Sequence, residues 1–306
     1  MYNIYVTEIL TTKLEGAFLM SIEADSGIFN VLVCSCCGAE LSLSENKKSL
    51  ICGGVKRHCF DISSSGHVNF DSRHSGGGDS KEAVLSRKRF LDKDYYKPVS
   101  DAVNEIFRDY LSPNSFVIDA GCGEGYYTCR AATTGVCVLG FDLSKEAVIA
   151  ASKRAKREGT ANAFFGVASV FSLPVADTSV DAVINIFAPC VESEYCRVLK
   201  SDGILAVAYA GREHLIGLKR RLYDNVYENE ARSDMPCHME LIEERQVVYD
   251  ISLRSSEDIN DLFLMTPYYW RTSIEDKKKL EDVEAPDTRV DIKIAIYKKK
   301  TVEERR

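Results

Sequence analysis

From residue 81 onward, apolar positions follow two alternating rhythms. Continuous apolar runs too short for helices lie at 116–120, 138–142, 163–168, 180–187, 203–210, 246–253 and 289–298. Stretches with apolar residues at helical spacing separate the earlier runs. Buried-type strands alternating with helices predict a doubly wound, Rossmann-like α/β sheet of seven strands. Asp142-Leu143-Ser144 supplies an N-cap for a helix running through Arg157, and Ser255-Ser256-Glu257-Asp258 opens another that ends near Met265. The chain has no internal period, which argues against a solenoid or propeller.

The N-terminal third lacks this rhythm. Residues 1–33 have mixed polarity and no interpretable motif, so they read as an extension of unknown role. Residues 34–71 are rich in Cys, Gly and Ser and hold too little apolar surface to fold unaided. The stretch SRHSGGGDS at 72–80 reads as a flexible joint inside a linker, 72–94, that leads to the α/β domain at 95–306.

With 306 residues, 45% of them apolar, the chain can bury one large core and carry a small appended module. It has no apolar run of about 18 residues and no basic leader ahead of an apolar segment, so the expectation is a soluble, cytoplasmic protein with no membrane partner. A net charge of −7, from 39 basic and 46 acidic residues, argues against sequence-blind adhesion to nucleic acid. A local basic face is still open to it. Lys47, Lys48, Lys56 and Arg57 form one cluster, Arg87, Lys88 and Arg89 a second, and Lys219, Arg220 and Arg221 a third. If the small module and the α/β domain form two walls of a cleft, the first two clusters are expected to face each other across it.

The cysteine segment, CSCCGAELSLSENKKSLICGGVKRHCFD, needs separate treatment. Cys34 and Cys37 form a CxxC knuckle, followed by Cys52 and then His58 and Cys59. Two donor pairs across a short hairpin suit tetrahedral, structural zinc, which would supply the stability that the missing core does not. On spacing alone, Cys59 or Cys36 could replace one ligand. The remaining cysteines mostly sit in apolar patterns and read as reduced thiols.

Asp119 ends an apolar run and is followed by Gly121, Gly123 and Gly125 at alternate positions, then by a helix. Such a loop lets a ligand approach backbone amides at a helix start. The next strand ends in Asp142, about 20 residues on, where a carboxylate can accept ribose hydroxyls. A nicotinamide enzyme would also fit the acid. The GxGxG spacing, however, resembles motif I of class I methyltransferases, and FSLPVADTSVDAVIN resembles their lead into the fourth strand. Where many of those enzymes carry an acid near adenine, GVASVF offers Ala168 and Ser169, which leaves adenine contact to Ser169 or to backbone groups.

From Cys34 to about Tyr297 the sequence resembles the bacterial 23S rRNA (guanine-N1)-methyltransferases, a family that includes enzymes conferring macrolide resistance. The resemblance is carried by RHCFD after Cys52, GDS at 78–80, RKRFLDKDYYKP at 87–98, DAGCGEGYYT at 119–128, LPVADTSVDAVINIFAPC at 173–190, GREHL at 211–215 and MTPYYWR at 265–271. It puts His58 in the histidine slot of the zinc site, with two extra residues after Cys52. It also makes Tyr96, Gly123, Glu124 and His214 cofactor-contacting positions, with S-adenosylmethionine as the cofactor and 23S rRNA as the partner. A base methylated on N1 must expose its Watson–Crick edge, so a stacking platform is expected. Trp270, Tyr268, Tyr269 and Phe187 are candidates, with Trp270 favoured because it follows Pro267 in a loop and precedes Arg271. Asp79, Glu124 and His214 are all open as the general base. A methyltransferase for a small molecule or another RNA is the competing reading, and a homodimer is compatible with either.

Overall fold

The computed structural model describes residues 27–71, 78–230, 236–280 and 287–300. Its centre is an eight-stranded sheet in the order Met239–Ser252, Asp287–Lys299, Leu199–Ala210, Val180–Ile186, Phe116–Ala120, Cys137–Asp142, Ala163–Val167 and Val68–Asn69. Strands β5 (Phe116–Ala120), β6 (Cys137–Asp142), β7 (Ala163–Val167), β8 (Val180–Ile186) and β9 (Leu199–Ala210) are mutually parallel. Strands β10 (Met239–Ser252) and β11 (Asp287–Lys299) add antiparallel at one edge. The parallel strands are almost wholly buried, as expected where helices cover a sheet.

The seven expected strands are present, and the eighth is a correction. Strand β4 (Val68–Asn69) comes from the cysteine-rich segment and pairs in parallel with β7, Val68 opposite Gly166 and Asn69 opposite Val167. A two-residue strand is too short to show a period. Strand β10 begins well before residue 246 because its first half, with Glu240, Glu243, Glu244 and Arg245, is mostly exposed or half-buried at the sheet edge and forms no apolar run. Both foreseen caps form. Ser144 Oγ accepts from the Ala147 N–H at 3.3 Å to open the helix Lys145–Glu158, and Ser255 Oγ accepts from the Asp258 N–H at 3.1 Å to open Ser256–Leu264.

The two faces of the sheet bury separate cores. One packs under the helices Lys81–Leu91, Lys97–Tyr110, Tyr126–Ala132 and Lys145–Glu158. The other is shared with the N-terminal segment. Ile28, Phe29, Leu32, Leu50, Phe60 and Phe70 join Ile118, Leu139, Phe141 and Phe164 in one cluster. The Phe29 ring meets Phe164 edge-on at 5.5 Å, and Phe70 lies 6.3 Å from Phe141. Gly166 admits this packing, because a β-carbon there would come within 2.9 Å of both Phe141 and Phe70.

Two expectations change as a result. Residues 27–33, read as part of an extension, put Ile28, Phe29, Val31 and Leu32 into the core: Ile28–Val31 form a 3-10 turn, and Leu32 bridges Val175. The cysteine segment, with its own three-stranded sheet β1 (Leu41–Leu43), β2 (Ser49–Cys52) and β3 (Cys59–Asp61), is packed onto the domain and does not hang from a joint. Residues 1–26 and 72–77, the rest of the extension and most of the expected joint, lie outside the described residues.

Candidate cofactor and metal sites

Asp119, next to last in β5, is fully buried and accepts a hydrogen bond from Thr128 Oγ1 at 2.5 Å, tying the strand to the helix after the loop. Burial pushes its carboxyl up to about 7, Thr128 opposes this, and the nearby Asp142 and Glu124 charges add to it. Gly121, Gly123 and Gly125 all have positive φ, of 82°, 55° and 82°. Their surroundings differ. A β-carbon on Gly121 would lie 2.6 Å from Ala188 Cβ and one on Gly125 2.8 Å from Ala151 Cβ, whereas one on Gly123 would meet nothing closer than Arg87 Nη1 at 3.5 Å. The outer glycines serve close packing, and Gly123 presents an open backbone.

Asp142, at the end of β6, closes the loop from beside. Its Oδ2 accepts from the Gly123 N–H at 3.0 Å and its Oδ1 from the Ser144 N–H at 2.8 Å. A carboxylate has about four lone-pair sites, so both oxygens keep acceptor capacity for a diol. Burial raises the Asp142 pKa against those two donors. Ser169 lies past β7, and its Oγ accepts from the Phe171 N–H at 3.2 Å, which leaves its hydroxyl proton free. Phe171 beside it is 67% exposed, an aromatic that the sequence reading missed because it interrupts no apolar pattern.

Tyr96 and His214, far apart in sequence, meet at the same end of the sheet. Tyr96 Oη lies 3.4 Å from His214 Nε2, and the Asp291 N–H donates to His214 Nδ1 at 3.3 Å. That donation fixes the neutral ring as its Nε2–H form. Burial pulls the His214 pKa down to about 4, and the Lys219 charge lowers it further against Asp291. Phe187, also with positive φ, stacks on His214 at 6.0 Å while 47% exposed. Asn185 and Tyr195 hold its loop, since Asn185 Nδ2 donates to the Pro189 carbonyl at 2.9 Å and Tyr195 Oη donates to it at 3.0 Å.

Glu124 is placed differently from an open ligand contact. Its carboxylate is buried and takes Arg154 Nη2 at 2.5 Å and Nε at 2.9 Å. Asp79 is paired with Arg87 at 2.5 Å. Trp270 falls within the short helix Tyr268–Arg271, and its side chain lies outside the described residues.

The basic wall expected along Arg87–Arg89 is a correction, because acids neutralise each member. Arg87 pairs with Asp79, Lys88 with Asp92 at 2.5 Å, and Arg89 with Asp261 at 2.9 Å. Lys219 is not surface charge either. It is buried, donates to Asn229 Oδ1 at 2.7 Å and sits 4.4 Å over the Tyr227 ring. The pairing of Arg89 with Asp261 left no signal by which it could have been foreseen, since an ion pair between distant segments has no local spacing.

In the cysteine segment the structure brings together Cys34, Cys37, Cys52 and His58, with all four donor atoms within 4.8 Å of one another. Cys36 and Cys59 are exposed and outside the group. Tetrahedral zinc with Zn–S bonds of about 2.3 Å needs ligand atoms roughly 3.8 Å apart. The pairs Cys34 Sγ–His58 Nδ1 at 3.4 Å and Cys37 Sγ–Cys52 Sγ at 3.3 Å fall near that. A Gly54 β-carbon would lie 3.1 Å from Cys37 Sγ and 3.2 Å from Cys52 Sγ, so glycine keeps this space clear, and the Gly54 N–H donates to Cys52 Sγ at 3.2 Å. The residues fit the ion. The two extra residues between Cys52 and His58 are absorbed by a turn in which Arg57 adopts positive φ.

A doubly wound sheet, a left-handed glycine loop and an acid bonded to its middle amide define a class I, S-adenosylmethionine-dependent methyltransferase. A family model described as a methyltransferase domain matches residues 111–279. A Bacillus subtilis protein provisionally named a 23S rRNA (guanine-N1)-methyltransferase is 29% identical over 88% of this chain and 97% of its own. A second of the same provisional name, from Micromonospora griseorubida, is 30% identical over 62% of this chain and 69% of its own. The 23S rRNA (guanine(748)-N1)-methyltransferase of Streptomyces fradiae is 29% identical over 62% and 67%. The chain belongs to this family of methyltransferases. No helix among the described residues is long and apolar enough to cross a membrane.

Proposed function

We propose that the protein transfers a methyl group from S-adenosylmethionine to N1 of a guanine in 23S rRNA, releasing S-adenosylhomocysteine and the N1 proton, with zinc as a structural ion. The observation that carries the reading is Gly123, whose open face and Asp142-bonded amide sit where a ligand can reach the backbone. The names of the relatives supply the substrate class. S-adenosylmethionine, when bound, supplies a methyl on a sulfonium, a good leaving group, so alignment and electrostatics carry much of the rate.

The chain's own residues have separable tasks in this reading. Asp142 accepts hydrogen bonds from the ribose hydroxyls, Ser169 meets adenine, and Gly123 lets the amino-acid end approach a loop that Gly121 and Gly125 shape by close packing. Asp119 organises the loop through Thr128. Glu124, engaged by Arg154, acts as a buried support for the loop. Neutral His214 donates its Nε2–H to Tyr96 Oη, which leaves the Tyr96 hydroxyl proton to donate into the site. The exposed face of Phe187, backed by His214, offers a stacking surface for a splayed base, and Trp270 is the further candidate that the sequence supplies. Cys34, Cys37, Cys52 and His58 would hold zinc and fix the small module, 34–71, on the catalytic domain.

Purified protein with S-adenosylmethionine and unmodified 23S rRNA is expected to create a block to reverse transcriptase at a single guanine, as N1 methylation removes its pairing edge. Transfer to another position or base would remove the N1 assignment.

A further inference from the structure

A cavity of about 410 Å³ lies along the seam between the cysteine module and the helix Lys145–Glu158, apart from the cofactor loop and the zinc ligands. Its walls are the serine loop Ser63, Ser64 and Ser65, buried His67, and Lys145 and Lys153 from the helix; Asn69, Ile149 and the carboxylate of Asp61 complete them. Positions 145, 149 and 153 share one helix face at four-residue spacing. Lys156, one turn on, donates to the Ser64 carbonyl at 2.7 Å and ties the loop to the helix.

The His67 N–H donates to Ser63 Oγ at 3.2 Å, and Ser63 Oγ and Ser65 Oγ lie 2.8 and 2.7 Å from His67 Nδ1. His67 Nε2 has no hydrogen-bond partner among the described residues, and with Nδ1 accepting from either hydroxyl it carries the ring proton. Burial first, and then the Lys145 charge, hold His67 below its ordinary range and therefore neutral. Lys145 and Lys153 are exposed and pair with no carboxylate among the described residues, unlike the arginines and lysine at 87–89. The Asp61 carboxylate is engaged by Ser49 Oγ at 2.8 Å. Two unpaired ammonium groups, hydroxyls and an unclaimed imidazole N–H suit a phosphodiester.

We propose that this seam seats a backbone phosphate of the RNA substrate, an inference that rests on RNA being the substrate. Lys145 follows Ser144, whose amide caps Asp142 and whose Oγ donates to the Asp79 carbonyl at 2.9 Å, so the seat opens next to the ribose end of the cofactor site. A chain-wide charge of −7 then does not oppose binding, because the attraction is local.

The test compares wild type, Lys145→Gln/Lys153→Gln and Ser64→Asp by RNA titration at several salt concentrations, with S-adenosylmethionine affinity and zinc content read on each protein as folding controls. The double variant is expected to bind RNA roughly tenfold more weakly and to flatten the log–log salt slope by about 0.7 to 0.9, the value of one lost phosphate contact. Ser64→Asp, which places a like charge in the seat and leaves the lysines intact, is expected to weaken RNA at least as much. Millimolar inorganic phosphate should not reproduce the loss in wild type; if it competes fully with RNA, the seat serves a free anion and the proposal falls. Equal affinity and slope in all three proteins overturns the seat alone. A wild type that neither binds nor methylates RNA overturns the substrate reading, and the seat with it.

Discussion

Alanine at Gly123 separates a loop that only turns the chain from one that receives a ligand. Gly123 has φ of 55°, where a β-carbon costs roughly 1 to 2 kcal/mol, yet the added methyl would meet nothing nearer than the flexible end of Arg87 at 3.5 Å. Gly123→Ala should therefore lower stability by only about 1 to 2 kcal/mol. Gly121→Ala has the same backbone cost and also drives a methyl to 2.6 Å from Ala188, an overpacking worth roughly 1 to 3 kcal/mol more. If the open side of Gly123 is where the amino-acid end of S-adenosylmethionine lies, Gly123→Ala should lose at least about tenfold in cofactor affinity, or roughly 1.4 kcal/mol. Denaturant unfolding without cofactor gives the first quantity for both variants, and calorimetric titration gives the second. The reasoning is refuted if Gly123→Ala folds as expected and binds S-adenosylmethionine as tightly as wild type.

Further outcomes follow from the same geometry. Asp142→Ala should cost about 1 to 3 kcal/mol of S-adenosylmethionine binding by calorimetry, the value of a charge-assisted acceptor, and should not create affinity for a nicotinamide dinucleotide. Freshly purified protein should contain one equivalent of zinc by metal analysis; Cys37→Ser should lose it and lower the melting temperature of the whole chain, since Phe60 and Phe70 belong to a core shared with the sheet. Asp119, held near 7 by burial against an ordinary value of 3.8, stays protonated in the folded chain while the unfolded chain ionises. Stability should thus fall as pH rises from about 4 to 7, and Asp119→Asn should flatten that slope in pH-dependent melts, by at most about 4 kcal/mol.

What the sequence discloses tracks how local the physics is. The parallel strands, the Ser144 and Ser255 caps and the glycine loop are legible because continuous apolar runs, cap residues and left-handed positions each leave a mark within a few residues. The Cys34, Cys37, Cys52 and His58 cluster is half legible: the knuckle shows in spacing, while the choice of His58 over Cys59 depends on the turn at Arg57. The pairing of β4 with β7, the burial of Ile28–Leu32 against Phe164 and the neutralisation of Arg89 by Asp261 are set by tertiary approach between distant segments. No window of sequence contains both partners. The same holds for Glu124, whose place in the motif suggests a ligand contact and whose carboxylate is claimed by Arg154.

The central claim, methylation of a guanine on N1 in 23S rRNA, is met most directly by nucleoside mass spectrometry of that RNA from cells with and without the gene. The account predicts N1-methylguanosine at one position in the parent, its loss on deletion, and its return with the wild-type gene but not with Asp142→Ala. Unchanged N1-methylguanosine in the deletion strain would contradict it.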